Sequence, residues 1–585
     1  MILSQETFFV YINILNCNFA ETFIIMYLLL SFLFTFTFPF DSFSEKPDLI
    51  QPMIIPVELS ANFAELRPNH YHSGVDFKTM QIIGQNVYSV DDGYVARINI
   101  SGSGYGNALY INHPKSGLTS VYAHLDNFES FIDSIIKLKQ YADESFEVDF
   151  YLSPDQLPVS KGQRVAKSGN SGSSGGPHLH FELRDLESEH ALNPLAIYDI
   201  KDDVRPRIHK LTVNPIKGEG ISAGVSDSRS YMLETVSSGV YIIKNNTPIK
   251  AWGLIGLGLK ANDYMTGTSN VYGVYILKVD VDDVTTFNYQ NDEISFDSTR
   301  YINSFIDYEK WYKNDEMIMQ TYVQPNAYMS NIKQLLGNGC LNINEERDYK
   351  VKMTVCDYLG NKSVLSFVIK GEKQLIPIVY AMSGADYFKW DVVNYFETDD
   401  VKFHIPARSL YSDMYFQYVY NKDSLAYSDT HLLHYPYVPM QKYAELKIRL
   451  KNDVLLDKQK YYIAYKNKKD VWEFMGNTYK DGFIKCETRF FGQYKIMCDT
   501  IAPTISLLSK GQIISLRVKD SASGIGTWRG YVDGKWALFS MDEKTNTMSY
   551  IFDETRVEKG KTHKIELHVF DECNNEAVYK TNVWW

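Results

Sequence analysis

The chain has 585 residues, of which 45% are hydrophobic and 22% charged, and its formal net charge is −12. This length exceeds what one hydrophobic core serves, so we expect about three to five domains. The acidic balance argues against a nucleic-acid partner, because proteins that coat nucleic acid need a basic excess to release counterions. The 43 tyrosines favour strands over helices, and we predict a mainly β protein.

The N-terminus carries an uncharged apolar run at positions 23–40. Its length lies between that of a signal-peptide core and that of a short membrane span. No Lys or Arg precedes Lys46, so the basic start of an ordinary signal is missing. We predict that residues 1–45 are a signal peptide or an N-terminal membrane anchor, with cleavage left open. The mature protein would then be exported to the periplasm or cell envelope.

Residues 46–202 show short apolar alternations bounded by Gly, Asp or Asn, for example 93–98 and 118–123. This pattern predicts a compact antiparallel β domain. Positions 128–141 instead have apolar residues at helical spacing, which predicts an inserted helix. The surrounding insertion, 126–160, is interpreted as a lid, a docking site for a regulator, or decoration.

The remaining chain is rich in short strand patterns and repeats itself. These patterns predict Ig-like β-sandwich modules over residues 203–372, 373–498 and 499–585. The Asp and Asn side chains of the repeats can bond nearby backbone N–H groups, and we favour this local turn role over calcium binding. The matching segments are Asp203 to Ile208 with Asp499 to Ile505, Asp263 to Gly267 with Asp520 to Gly524, and Val355 to Asn361 with Val569 to Asn575.

Chemistry-bearing residues concentrate in the first domain. In a strand, alternate side chains share a face, so His178 and His180 point to the same side. His72 and Asp76 are four positions apart and can converge in a strand or in one helical turn. Two imidazoles with one carboxylate are typical of an open zinc site that keeps a position for water. The alternative is a half-buried strand with solvated histidines. The six cysteines include no Cys-x-x-Cys pair, so a thiolate zinc site is not expected.

Three ordered motifs resemble the lysostaphin/LytM-type peptidases of metallopeptidase family M23. They are His72-x-x-x-Asp76, Tyr122-Ala-His124 and Gly175-Gly-Pro-His178-Leu-His180-Phe-Glu-Leu-Arg184, within about residues 55–195. The resemblance implies one Zn²⁺ per chain, with His72, Asp76 and His180 as its ligands. It also implies that His124 and His178 are catalytic histidines beside the metal. One would take a proton from water and the other would bond the developing oxyanion, and the sequence leaves open which does which.

Other conspicuous residues receive simpler interpretations. His70 is expected in a solvated loop and His113 at a strand end. Glu182 is expected to be a surface carboxylate rather than a partner of a ligand. The glycine-rich run 169–177 lacks the ending of a phosphate-binding loop and leads into a strand, so we predict a tight turn beside the substrate.

By family implication, the substrate is a stem or cross-link peptide of bacterial peptidoglycan, hydrolysed by an endopeptidase. One alternative is a non-catalytic regulator that activates other cell-wall hydrolases. Another is a scaffold in which the sandwiches do the work. The sandwich modules would position the peptidase domain or bind envelope protein partners.

Overall fold

The computed structural model describes residues 46–198, 200–380 and 384–585. The predicted signal or anchor at 1–45 lies outside these residues. Within the described part of the chain, no helix is both long and apolar enough to cross a membrane.

The first part of the chain forms an antiparallel sheet with one inserted helix. Its elements are β1 (Leu59–Ala61), β2 (Leu66–Arg67), β3 (His70–Tyr71), β4 (Val75–Lys78), β5 (Asn86–Tyr88), β6 (Gly93–Ile100), β7 (Asn107–His113), β8 (Leu118–Ala123), β9 (Leu125–Phe128), α1 (Ser130–Asp143), β10 (Val148–Tyr151), β11 (Pro158–Val159), β12 (Arg164–Ser168), β13 (His178–Asp185) and β14 (Ala191–Leu192).

The main sheet runs in the order β1-β4-β13-β8-β7-β6-β10, and β5-β12-β9 form a smaller sheet. Leu179, Phe181 and Leu183 alternate along β13 and are buried. The Phe181 ring packs edge-on against Phe77 and Tyr122. The compact antiparallel β domain predicted from the alternating patterns is therefore confirmed.

Helix α1 lies in the insertion, as the helical spacing predicts. Its buried positions include Ile132 and Ile136, and it ends where Glu144 adopts a left-handed conformation. On its far side, the ring of Tyr141 meets Trp536 edge-on at 4.9 Å between centroids. Arg556 lies over the same tyrosine, 3.4 Å from the ring centroid. The insertion is therefore docked on the C-terminal part of the chain.

The next strands, from Arg207 to Gly371, form one continuous sheet around long, bulged β15 and β19. Their elements are β15 (Arg207–Ser222), β16 (Arg229–Tyr231), β17 (Leu233–Ser237), β18 (Val240–Ile243), β19 (Ile249–Asn262), β20 (Ile276–Val281), β21 (Val284–Gln290), β22 (Glu293–Ile294), α2 (Ile302–Phe305), α3 (Tyr308–Asn314), β23 (Met319–Gln320), β24 (Ile332–Leu335), β25 (Leu341–Ile343), β26 (Asp348–Cys356) and β27 (Lys362–Gly371). Strand β22 leaves this sheet and pairs with β14 of the first domain.

Two facing pairs of sheets complete the chain. The first region contains β28 (Asp386–Phe388), β29 (Asn394–Glu397), β30 (Val401–Ile405), β31 (Met414–Phe416), β32 (Tyr418–Asn421), β33 (Thr430–Leu433), β34 (Pro439–Arg449), β35 (Tyr461–Lys466), β36 (Trp472–Gly476), β37 (Thr478–Lys480), β38 (Phe483–Phe490) and β39 (Gly492–Cys498). Of these, β28 and β31 pair with each other in a separate two-stranded sheet, and the others form the first facing pair. The strands of the second pair are β40 (Thr504–Ser509), β41 (Ile513–Lys519), β42 (Ile525–Val532), β43 (Lys535–Ala537), β44 (Ser540–Asp542), β45 (Thr547–Ile551), β46 (Thr562–Asp571) and β47 (Glu576–Trp584).

Each pair of sheets encloses its own apolar core. Sheets β29-β30-β34-β38-β37 and β32-β33-β39-β35-β36 surround one core that includes Phe403 and Tyr494. Sheets β40-β41-β45-β44 and β43-β42-β46-β47 surround another that includes Leu516 and Leu567. The mainly β class with C-terminal sandwich modules is confirmed, while the domain boundaries at 202, 372 and 498 stay predictions.

Candidate metal centre

Pairing of β4 with β13 places Asp76 directly opposite His180, and His72 lies just before β4. Three side-chain atoms converge there. Asp76 Oδ1 lies 3.0 Å from His72 Nε2 and 2.9 Å from His180 Nδ1, and the two nitrogens are 3.0 Å apart. The structure therefore brings together the three residues predicted as ligands.

The spacing of these three atoms fits a small tetrahedral metal ion. Zinc–ligand bonds of 2.0–2.1 Å place neighbouring ligand atoms about 3.3 Å apart. The observed separations are a few tenths of an ångström shorter, so a slight outward movement of the side chains would seat the ion. Two imidazoles and one carboxylate are also donors that zinc accepts in open sites.

The outer nitrogens of both histidines are already occupied. His72 Nδ1 lies 2.7 Å from the backbone oxygen of Asn62, and His180 Nε2 lies 2.9 Å from Glu182 Oε1. A proton held on each outer nitrogen leaves the lone pair of the inner nitrogen free for a metal. The site is thus arranged for coordination through His72 Nε2 and His180 Nδ1.

Glu182 is fully buried, so its interpretation as a surface carboxylate is wrong. Besides His180, it accepts hydrogen bonds from Ser73 and Tyr105 and forms an ion pair with Arg184 at 2.6 Å. Burial alone would raise the pKa of Glu182, but Arg184 and His180 hold it well below its ordinary value. Glu182 is therefore a charged partner that orients His180. Glu182 lies two positions after His180 on the same strand, so the sequence already placed both side chains on one face of β13.

His124 and His178 flank the three converging residues, with their rings 4.8 Å apart between centroids. His124 Nδ1 lies 2.9 Å from the backbone oxygen of Ser171, and His178 Nδ1 lies 2.8 Å from that of Gly176. His178 Nε2 approaches Asp76 Oδ1 at 3.5 Å. Both rings are therefore held by main-chain acceptors through Nδ1, which leaves Nε2 of each for other contacts.

The protonation states of these groups differ sharply. Burial, together with His180 and His178, lowers the pKa of His124 to about 3, so this imidazole is neutral near pH 7. Burial would also lower the pKa of His180, but its hydrogen bonds to Asp76 and Glu182 raise it to about 9. The same histidines hold the pKa of the buried Asp76 well below its ordinary value. Before a metal binds, His180 therefore carries a proton that the metal must displace.

Two further histidines of the domain have other hydrogen-bond partners. His70 is exposed, and its Nδ1 contacts the backbone oxygen of Pro68. His113 ends β7 as predicted, but it is fully buried and lies 2.7 Å from Ser120 Oγ. In the glycine-rich run, Gly172 has φ +64°, and a Cβ there would meet the backbone of Gly106. The run is a tight turn, as predicted, packed against the neighbouring loop.

Comparisons with known proteins agree with this geometry. Residues 70–140 match the model of Peptidase family M23, and residues 385–499 match that of the Zu5-like domain. An uncharacterized metalloprotease of Haemophilus influenzae is 33% identical over 126 residues, which cover 22% of this chain and 21% of the relative. The DD-carboxypeptidase/endopeptidase Mpg of Neisseria meningitidis serogroup B is 30% identical over 126 residues, covering 22% of each.

The match spans about a fifth of the length of these curated relatives. A solved zinc-containing peptidase from Vibrio cholerae is 26% identical over 26% of this chain and 39% of that one, with a TM-score of 0.19. The resemblance drawn from the three histidine motifs is confirmed by the family match and the relatives: the chain carries a peptidase domain of family M23, followed by β-sandwich modules that include a Zu5-like domain.

Proposed function

We propose that this protein is a zinc-dependent endopeptidase that hydrolyses stem or cross-link peptides of bacterial peptidoglycan. The observation that carries the proposal is the convergence of His72 Nε2, Asp76 Oδ1 and His180 Nδ1 within 3.0 Å of one another. The occupied outer nitrogens support it, because they leave His72 Nε2 and His180 Nδ1 as the ring nitrogens available to a metal. The relatives named as DD-carboxypeptidase/endopeptidase support the substrate class.

A zinc ion held there would supply Lewis acidity, which polarises a scissile carbonyl and lowers the pKa of a bound water. His124 is neutral near pH 7, and its Nδ1 donates to the Ser171 carbonyl, so its Nε2 is free to accept a proton and can donate a hydrogen bond once it holds that proton. Burial also lowers the pKa of His178. We assign proton transfer and oxyanion stabilisation to this pair, with the division between them open.

An open groove of about 610 Å³ beside His178 supports an extended peptide substrate. Its walls include Lys78 and Met80, at and just beyond the end of β4, and Pro177 immediately before His178. Met80 is 67% exposed. Lys78 pairs with His178 between β4 and β13, so a peptide lying in this groove would approach the His178 end of β13. The substrate class places the enzyme in the cell envelope, where the β modules would contact wall or protein partners.

The test is digestion of purified peptidoglycan by the full-length protein, with zinc present or removed by a chelator, and mass analysis of the products. We expect new amino termini only with zinc, and none from the His180→Ala variant. Lys46→Ala, outside the domain's sheets, is the matched control and should digest as the unaltered protein does. Stoichiometric zinc without any product would contradict the proposal and favour the regulator of other wall hydrolases.

A further inference from the structure

Three aspartates that follow the metal-binding histidines in the sequence also converge. Asp202 precedes β15, Asp263 follows β19 and Asp357 follows β26. One carboxylate oxygen of each lies within 4.8 Å of those of the other two. We call this group the acidic cluster. The charged groups that act on Asp263 are Asp357 and Asp202, which have the same sign as Asp263 itself.

Asp263 carries the observation that points to a ligand. Its side chain is 1% exposed, and of the described residues none donates a hydrogen bond to its buried Oδ1. Burial and the two neighbouring carboxylates raise the pKa of Asp263 to about 8. Buried polar atoms in native proteins nearly always have a partner, so an orphaned oxygen calls for an ion, a water or a proton. A local turn does not explain it.

The three carboxylates also line a partly open cavity of about 20 Å³, which has room for a water-sized occupant. Its other lining residues include Asn62 and Phe63 of the peptidase domain. Oxygen-only donors select hard divalent cations. Magnesium demands near-ideal octahedral geometry, whereas calcium accepts protein oxygens in irregular arrangements.

We propose that the acidic cluster binds one calcium ion, which braces the peptidase domain against the β module that follows it. The ion would occupy the cavity and take Asp263 Oδ1 as a ligand, together with oxygens of Asp202 and Asp357. It would offset the mutual repulsion of the three carboxylates. This site is separate from the histidine residues proposed to bind zinc.

The chain contains an internal comparison for this site. A second acidic cluster, Asp499, Asp520 and Asp571, has ligand atoms within the same 4.8 Å limit. Asp520 Oδ1 is again a buried atom without a hydrogen-bond partner among the described residues, although Asp520 is more exposed than Asp263. The hydrogen bonds around both clusters match. Asp202 accepts hydrogen bonds from Val204 N, from Thr266 N and Oγ1, and from Asn361 Nδ2. Asp499 accepts the equivalent bonds from Ile501 N, from Ser523 N and Oγ, and from Asn575 Nδ2.

The equivalence corrects one detail of the predicted repeat, because Asp202 and not Asp203 corresponds to Asp499. Asp203 is exposed and accepts a hydrogen bond from Thr266 Oγ1. It therefore offers a matched control, adjacent in sequence to the cluster but outside it.

The experiment uses the full-length protein with zinc held at saturation. Terbium, a luminescent substitute for calcium, is excited through Tyr275 and Tyr358, which line the cavity. We expect tyrosine-sensitised terbium emission that calcium displaces, and a Tm raised by roughly 3 °C or more in excess calcium. Asp263→Asn should lose the terbium emission and the calcium-induced rise in Tm that come from the acidic cluster. Asp203→Asn and Asp520→Asn should retain both.

Equal calcium responses of Asp263→Asn and the unaltered protein would overturn the proposal. The proposal would also be overturned if calcium did not change the Tm of the unaltered protein and equilibrium dialysis showed no calcium binding. That result would indicate that Asp263 is protonated instead. If Asp263→Asn fails to fold, Asp357→Asn and dialysis of the unaltered protein decide the question in the same way.

Discussion

The histidine site and the acidic cluster both bring ionisable side chains together in a buried place, but they balance the charge differently. We call His72, Asp76 and His180 the histidine cluster. It mixes two imidazoles with one carboxylate, and its outer atoms are held by Asn62 and Glu182. The acidic cluster contains like charges only, and no residue in the described part of the chain donates to Asp263 Oδ1.

The difference shows how a fold can select a cation before one is bound. In the histidine cluster, hydrogen bonds to the outer ring nitrogens leave the inner nitrogens facing Asp76. Two nitrogens and one carboxylate oxygen are a donor set that suits zinc. In the acidic cluster, the three aspartates offer only oxygen ligands, a set that suits a harder ion. In the histidine cluster, a proton on His180 can balance the negative charge of Asp76. The acidic cluster has no basic member, so its charge is balanced only by a bound cation or by protonation of a carboxylate.

The largest expected effect is a loss of turnover when either histidine beside the metal-binding residues is replaced. His124→Gln or His178→Gln should lower turnover roughly 10²- to 10⁴-fold, because each loses a group positioned for proton transfer or oxyanion binding. Zinc content by atomic absorption should stay at one per chain, and the calcium response of the acidic cluster should not change. His70→Gln, at an exposed histidine, is the control. Loss of zinc together with activity would make the altered histidine a ligand.

A smaller effect is expected at the carboxylate behind His180. Glu182→Gln removes a charged acceptor from His180 Nε2, so zinc affinity should fall about 10- to 100-fold in a competitive chelator titration. Glu189→Gln alters an exposed carboxylate 3.7 Å from the same Arg184 and should leave zinc affinity unchanged. Equal affinities for the two variants would remove Glu182 from the metal centre.

The pH dependence should distinguish the clusters as well. Pairing raises the pKa of His180 in the metal-free fold from 6.5 to about 9. Its contribution to folding stability is therefore complete below about pH 6.5 and is lost as the pH rises through about 9.

Zinc must displace that proton, so its binding near neutral pH should release about one proton, and almost none above about pH 10. Calorimetry in two buffers of different ionisation enthalpy measures this number. The Glu182→Gln variant should release less, because His180 loses one of the acceptors that raise its pKa. Zinc binding without proton release near pH 7 would refute the assigned protonation of His180.

The smallest effect is expected where the C-terminal module contacts the peptidase domain. Lys544 donates to the backbone oxygen and Oδ1 of Asn170, which precedes the Ser171 carbonyl that holds His124. An exposed contact of this kind is worth about 0.2–1 kcal/mol, so Lys544→Ala should lower kcat by no more than about fivefold. Lys559→Ala, at an exposed lysine paired with Glu554, should not change kcat. A tenfold or greater loss in Lys544→Ala would mean that this module controls the site directly.

Local patterns predicted much of this architecture. The alternation along β13 placed Leu179, Phe181 and Leu183 in the core, and the helical spacing predicted α1. The ordered motifs also selected the residues of the histidine cluster, because their donor chemistry is distinctive. These features depend on residues close in sequence or on a known family pattern.

Features created by long-range packing were missed. Parity placed Glu182 beside His180, but only the pairing of β13 with β4 and β8 on its two sides explains its complete burial. The acidic cluster joins aspartates that follow two strands and precede a third, so its turn motifs gave no sign of their convergence. Likewise, no local pattern indicated that α1 would dock on the C-terminal module.

That docking has an evolutionary consequence. Tyr141 of the insertion buries its ring edge against Trp536 and receives Arg556 on its face, so each side covers apolar surface of the other. A lineage that loses the last module would expose Tyr141 and Phe146 of the insertion, and one that loses the insertion would expose Trp528 and Trp536, which they meet. We therefore expect the insertion and the last module to be inherited together among related chains, as one unit separated by almost 400 residues of sequence.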